Sequence, residues 1–116
     1  MHVTPEIVFD NMEASEAVAG RVREKFMKLE KLFGRMTHAR CVIEAPHRHH
    51  HKGNIYLVKL VIGMPGTEDL VISQSGEKNH AHEDIYVAVR DAFDAARRRL
   101  QDTVHKRTGK VKTHEA

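Results

Sequence analysis

The sequence predicts an α+β fold of order β-α-β-β-β-α: a two-layer sandwich, two helices packed on one face of a four-stranded, mainly antiparallel sheet. Three observations carry this. Two segments, Val18 to Phe33 and His80 to Leu100, repeat apolar residues at steps of three and four, the period of a helix lying on an apolar surface. Three short runs rich in β-branched residues stand between them, and a fourth precedes the first helix. Gly and Pro mark the joins, with no internal repeat and no interdomain linker, so residues 1–107 are expected to form one domain and 108–116 a flexible tail.

Taken in order, Glu6–Asp10 alternates apolar and polar residues behind Pro5, which suits the start of a short strand. Ser15 or an earlier residue is placed to cap the first helix, whose stripe is Val18, Val22, Phe26, Leu29 and Phe33, and Gly34 is placed to end it. Ala39–Glu44 reads as a strand that stops at Pro46. His47–Gly53 reads as a hairpin connection. Asn54–Gly63 is apolar on both faces apart from Lys59, the pattern of a central strand. Pro65-Gly66 marks a turn, and Leu70–Ser75 is the fourth strand. The second helix carries Ile85, Val89, Ala92, Phe93, Ala96 and Leu100 on one stripe, with Glu83 and Asp84 in its first turn and Arg97, Arg98 and Arg99 in its C-terminal half. Lys-Val-Lys-Thr-His-Glu-Ala, after Gly109, has no periodic pattern.

Composition narrows the class. Across 116 residues, 41% hydrophobic, no apolar run approaches the ~18 residues of a membrane span, and no secretory signal opens the chain. Cys41 is the one cysteine and cannot form an internal disulfide, which fits a reducing, cytoplasmic setting. Net charge is only +3, so its distribution matters more than its sum. From Arg97 to Lys112 seven Lys/Arg stand against one acid, and from Arg21 to Arg35 six stand against two. Cations concentrated on helices are the footprint of an extended anionic partner.

On the first helix Arg21, Lys25, Lys28, Lys31 and Arg35 gather on one flank, interrupted by Glu24, while Glu16 and Glu30 project toward the other. Such a ridge contributes salt-sensitive affinity for phosphates with little sequence discrimination. A solvated helix face would carry similar residues, and the sorting of sign by face is what favours a partner. On the second helix Arg90 and Arg97 share a flank, and three consecutive arginines exceed what Asp94 can pair. Arg97 and Arg98 rank above Arg99, which lies nearer the apolar stripe and is placed to lay its stem along it.

The ten histidines include His47, His49, His50 and His51 in one short stretch. Imidazoles bind zinc, copper or nickel, yet a structural zinc site needs four ligands in fixed geometry, which a contiguous run does not supply. A loop that gains charge below about pH 6.5 is the plainer reading. For His80, His82 and Glu83, capping of the second helix is favoured over a metal. No G-x-S-x-G, phosphate-cradling Gly loop or H-E-x-x-H occurs, so no enzyme is expected, and no cofactor. With two tyrosines and no tryptophan, stacking platforms for single strands are few.

These residues resemble the ribosome hibernation promoting factors, including the ribosome-associated inhibitor A type. Arg23–Phe33 reads R-E-K-F-M-K-L-E-K-L-F, similar to the family's basic helix with its K-L-E-K segment at Lys28–Lys31. His82–Tyr86 reads H-E-D-I-Y, near the family's H-E-D-M-Y; A-V-R-D-A-F follows, and the stretch closes on R-R-L at Arg98–Leu100, near the family's E-R-Q-L. With the element order, the resemblance covers roughly residues 5–107. It implies a bacterial cytoplasmic protein that binds the small ribosomal subunit, lies where messenger and transfer RNA would bind, and silences translation in stressed or stationary-phase cells. Lys25, Lys28 and Lys31 match basic positions of the family's first helix, and Arg98 one of its second. Arg90 and Arg97 match none and rest on charge alone, and the His47–His51 stretch departs from the short inhibitors. The tail resembles the linker before a further domain in some relatives, and the expectation here is that no dimerising or nucleic-acid-binding extension follows it. The expectation is therefore a monomeric, non-enzymatic factor that contacts ribosomal RNA. Two rivals remain open: a free-standing double-stranded RNA-binding module and a metal-binding protein using His47–His51.

Overall fold

The computed structural model describes residues 3–45, 56–75 and 84–115. Its elements are β1 (Glu6–Asp10), α1 (Glu16–Phe33), β2 (His38–Glu44), β3 (Leu57–Gly63), β4 (Leu70–Ser75) and α2 (Ile85–Glu115), in the expected order. The strands form one sheet with spatial order β1-β2-β3-β4. The β2–β3 and β3–β4 pairs are antiparallel, whereas β1 lies parallel to β2 with Ile7 opposite Cys41 and Phe9 opposite Ile43. A parallel pair needs a long crossover, and α1 supplies it.

Successive strand residues face opposite sides of a sheet, and here one side is strongly apolar. Ala39, Cys41 and Ile43 of β2, Val58, Leu60 and Ile62 of β3, and Ile72 of β4 share that side and are buried. Both helices cover it, α1 with Val18, Val22, Phe26 and Leu29, α2 with Val89, Ala92, Phe93, Ala96 and Leu100. Phe26 and Phe93 meet edge to face, centroids 4.8 Å apart at 81°, which sets the positive rim of one ring against the negative face of the other. The opposite side of the sheet mixes valines with charges, and Arg40 Nε lies 3.3 Å from Glu6 Oε1. β3 sits between two neighbours, the central place expected for it from the sequence.

Local chemistry fixes the ends. The Val18 N–H donates to Ser15 Oγ at 3.3 Å, satisfying one of the amides that the start of a helix leaves unpaired. Gly34 takes φ 104°, a region that favours glycine, and its N–H donates to the Glu30 carbonyl at 2.9 Å. Gly63 answers a different need: it pairs with His38 across the sheet, and a Cβ there would collide with the imidazole, whose Nε2 lies 3.0 Å from Asp69 Oδ2.

Four boundaries differ from the sequence reading, the smallest being that β2 opens at His38, one residue before Ala39. α2 opens at Ile85, and Asp84 stands just outside it as the cap, its carbonyl accepting from the Ala88 N–H (3.0 Å) and its Oδ1 from the Tyr86 N–H (2.9 Å). A short acidic side chain reaches its own following amides better from the cap than from within the first turn. β3 opens at Leu57. The α2 backbone is helical past residue 107 to Glu115, where a patternless tail was expected. One glycine costs a helix only ~1 kcal/mol, so Gly109 alone does not stop one already nucleated. The His47–Gly53 connection and His80, His82 and Glu83 lie outside the described residues.

Phe26 is fully buried and touches the second helix as well as the sheet. Phe26→Ala should lower the unfolding free energy by ~3–5 kcal/mol, read from the urea midpoint at unchanged m-value.

Candidate nucleic-acid interface

The helices position two separate sets of cations. Arg21, Lys25 and Lys28 follow at steps of four and three, so they share one flank of α1. That flank borders α2, because the Arg21 guanidinium carbon lies 5.4 Å above the centroid of the Tyr86 ring. On α2, Tyr86, Arg90 and Arg97 follow at steps of four and seven and share the flank that meets it. Arg21, Lys28, Arg90 and Arg97 are exposed and Lys25 is half-buried. Across the junction of the two helices, then, five cations line one outward surface. Lys31 and Arg35 are exposed as well, Lys31 in the last turn of α1 and Arg35 just past its cap, extending the charge toward that end.

Arg98 goes elsewhere. Ala95, Arg98 and Asp102 share a different flank of α2 and, with Arg99, line an open groove of about 320 Å³ against β4. The sequence grouped Arg98 with Arg97, but neighbours in a helix point ~100° apart and here they serve different surfaces. Arg99, expected to lie along the apolar stripe, also opens on the groove.

Glu24 of α1 and Asp91 and Asp94 of α2 are the described acids that border the first set. Glu16 is 3.6 Å from Arg23 Nη2, Glu30 Oε2 accepts from the Met36 N–H at 3.2 Å, and Asp91 Oδ1 is 3.2 Å from Arg90 Nη2. Glu30 therefore stabilises the α1–β2 connection and takes no part in the ridge. Exposed pairs such as Arg90–Asp91 contribute ~0–1 kcal/mol, too little to prevent Arg90 from exchanging its partner for a phosphate. Two apolar residues were overlooked by a reading built on charge. Leu32, four residues after Lys28 on the basic flank, is 63% exposed, and Tyr86 is the surface against which Arg21 rests. Their absence from both core stripes was the available signal.

Among the described residues no group of three or more His, Cys, Asp or Glu is placed to hold a metal ion. His47–His51 lies outside them, so that candidate is neither built nor broken by the fold. No described helix is long and apolar enough to cross a membrane. Cys41 is buried in β2, and burial pushes its thiol up from 9.0 to about 12.

The fold and its surface define a class: an α+β domain whose helix layer is basic on its outer side. The chain belongs to the family described as Sigma 54 modulation protein / S30EA ribosomal protein, whose model matches residues 6–108. This is a family of ribosome-associated modulation factors and not a class of enzymes. Among solved structures the chain is similar to the crystal structure of the Thermus thermophilus Protein Y N-terminal domain, with TM-score 0.64 and 16% identity over 89% of this chain and 99% of that one. At that identity the likeness shows the fold alone. No curated protein matches the sequence.

The thiolate is the reactive form of cysteine, so Cys41 should resist disulfide reagents in the folded protein at pH 8 and react at once in urea. Folded and unfolded thiols are both protonated below about pH 9, above which only the unfolded chain ionises. The stabilisation from burying the neutral thiol should therefore fall as pH rises beyond 9, measured by urea melts from pH 8 to 10.5.

Proposed function

We propose that this protein is a hibernation factor that binds the small ribosomal subunit and blocks translation by occupying the channel used by messenger and transfer RNA. It acts in the cytoplasm of stressed or resting bacterial cells, as a monomer and without chemistry. Arg21, Lys25, Lys28, Arg90 and Arg97, at the junction of the two helices, contact ribosomal RNA phosphates, with Lys31 and Arg35 extending the contact at one end and Arg98 reaching RNA from the far flank of α2. The observation that carries this reading is the shared basic surface across the α1–α2 junction, fixed by the Arg21–Tyr86 contact, in a chain of the S30EA family. A rigid helix layer fixes the backbone positions of the cations before the partner arrives, so the freedom lost on binding is confined to the lysine and arginine side chains. Phosphate contacts of this kind favour shape and charge over sequence, which suits a partner whose surface is folded RNA.

The test is sedimentation with purified small subunits through sucrose at several salt concentrations. The parent should co-migrate and be released as salt rises. Lys28→Glu combined with Lys31→Glu should weaken binding by ~10-fold or more and lower the slope of log affinity against log salt by about 2, one unit per lost contact. Binding by the double variant as tight as the parent's would end the helix-ridge mechanism. Equal affinity for a naked RNA duplex would favour the double-stranded RNA-binding reading instead.

A further inference from the structure

Of the residues just assigned to RNA only Arg98 reaches the groove beside β4, whose other lining and chemistry are different. β4 closes the sheet, with β3 on one side and no strand on the other, so its outer main-chain groups have no ladder partner among the described residues. The groove follows that free edge. Val71 and Ser73, from the uncovered side of the sheet, and Ile72, from the core side, all line it. Only an edge can present both sides of a strand to one groove. Its other wall, from α2, carries Arg98, Arg99 and Asp102. Both arginines are exposed, and among the described residues neither forms an ion pair. Val71, which faces the uncovered side, is 48% exposed.

We propose that this groove receives an extended acidic segment of a partner protein, which adds to β4 as a fifth strand. Its main chain would pair with the free edge, the usual source of affinity when a peptide joins a sheet. Its side chains would alternate, one row rising toward α2 and the other lying beside Val71 and Ser73. The row toward α2 meets two guanidiniums, each able to take a carboxylate with two parallel hydrogen bonds, against the single carboxylate of Asp102. The other row meets an exposed valine. The preferred segment therefore alternates Asp or Glu with β-branched residues. A second copy of this chain suits the edge poorly: it would set its own Arg98 and Arg99 against these. A nucleic-acid backbone has phosphates for the arginines but no regular row of N–H donors for the strand.

The probe is a fluorescein-labelled octapeptide of alternating Glu and Val, followed by anisotropy on the full chain at moderate salt. Saturable binding is expected, at least tenfold weaker with Arg99→Glu and unchanged in the Lys28→Glu, Lys31→Glu variant. That last result separates this proposal from the ribosome reading, since failure of either leaves the other standing. A version of the peptide N-methylated at alternate amides keeps its charge and loses its strand pairing, and should not bind. The proposal is overturned if the octapeptide does not bind, if the methylated peptide or an octamer of uridylate binds as well as the parent peptide through Arg99, or if sedimentation equilibrium finds a dimer that Arg99→Glu tightens. Arg99 is exposed, so its replacement should leave the circular dichroism spectrum and urea midpoint unchanged.

Discussion

Everything in this structure depends on the sheet having only one greasy side. Cys41, Leu60 and Ile72 lie opposite one another across three strands, and the residues two before and two after them on β2 and β3 continue the same apolar surface. Two helices are enough to cover it, and they must lie side by side to do so. The Phe26–Phe93 contact sits at that seam. The helices consequently present their remaining flanks outward as one continuous layer. The basic surface is a by-product of that geometry: cations placed on the flanks of two separate helices become neighbours once the apolar stripes are satisfied.

The same arrangement divides the charge. Because α2 touches α1 on one flank and approaches β4 on the other, its arginines cannot all serve one partner in the same way. Arg90 and Arg97 lie with Tyr86 and join the first helix; Arg98 and Arg99 line the groove beside β4. A count of cations along the sequence merges these sets, while the fold separates them by the width of a helix, ~10 Å. This is slightly more than the ~8 Å Debye length at physiological salt, so each set is partly screened from the other.

Much of this was legible from residues alone, for reasons that are local. Ser15, Gly34 and the five-residue stripe of α1 specify a helix whose ends are chemically marked, and the double-sided apolar run of β3 announces a central strand. The element order follows from those marks. The parallel pairing of β1 with β2 was not written in any short segment; it arises because α1 returns the chain across the sheet. The extent of α2 was underestimated because Gly109 carries a familiar stop signal whose cost is small beside the helix already formed. For the candidate surface, the flank of α1 was readable from its spacing. The parting of Arg97 from Arg98 was not, since it depends on where α1 and β4 lie relative to α2.

The strand directions carry one more consequence. α1 and α2 each follow a strand of the same sense, and the contacts of residues 21 with 86 and 26 with 93 run in step, so the two helices point the same way. Their peptide dipoles add instead of cancelling. One pole of the molecule gathers both helix N-termini, each with about half a positive charge, capped by Ser15 and Asp84. At the end of α1, where the backbone turns negative, Lys31 and Arg35 stand in compensation. Side chains and backbone therefore offset one another at both poles: Glu16 and Asp84 beside the positive ends, Lys31 and Arg35 beside the negative end of α1. An antiparallel helix pair would cancel the two dipoles without help from these side chains.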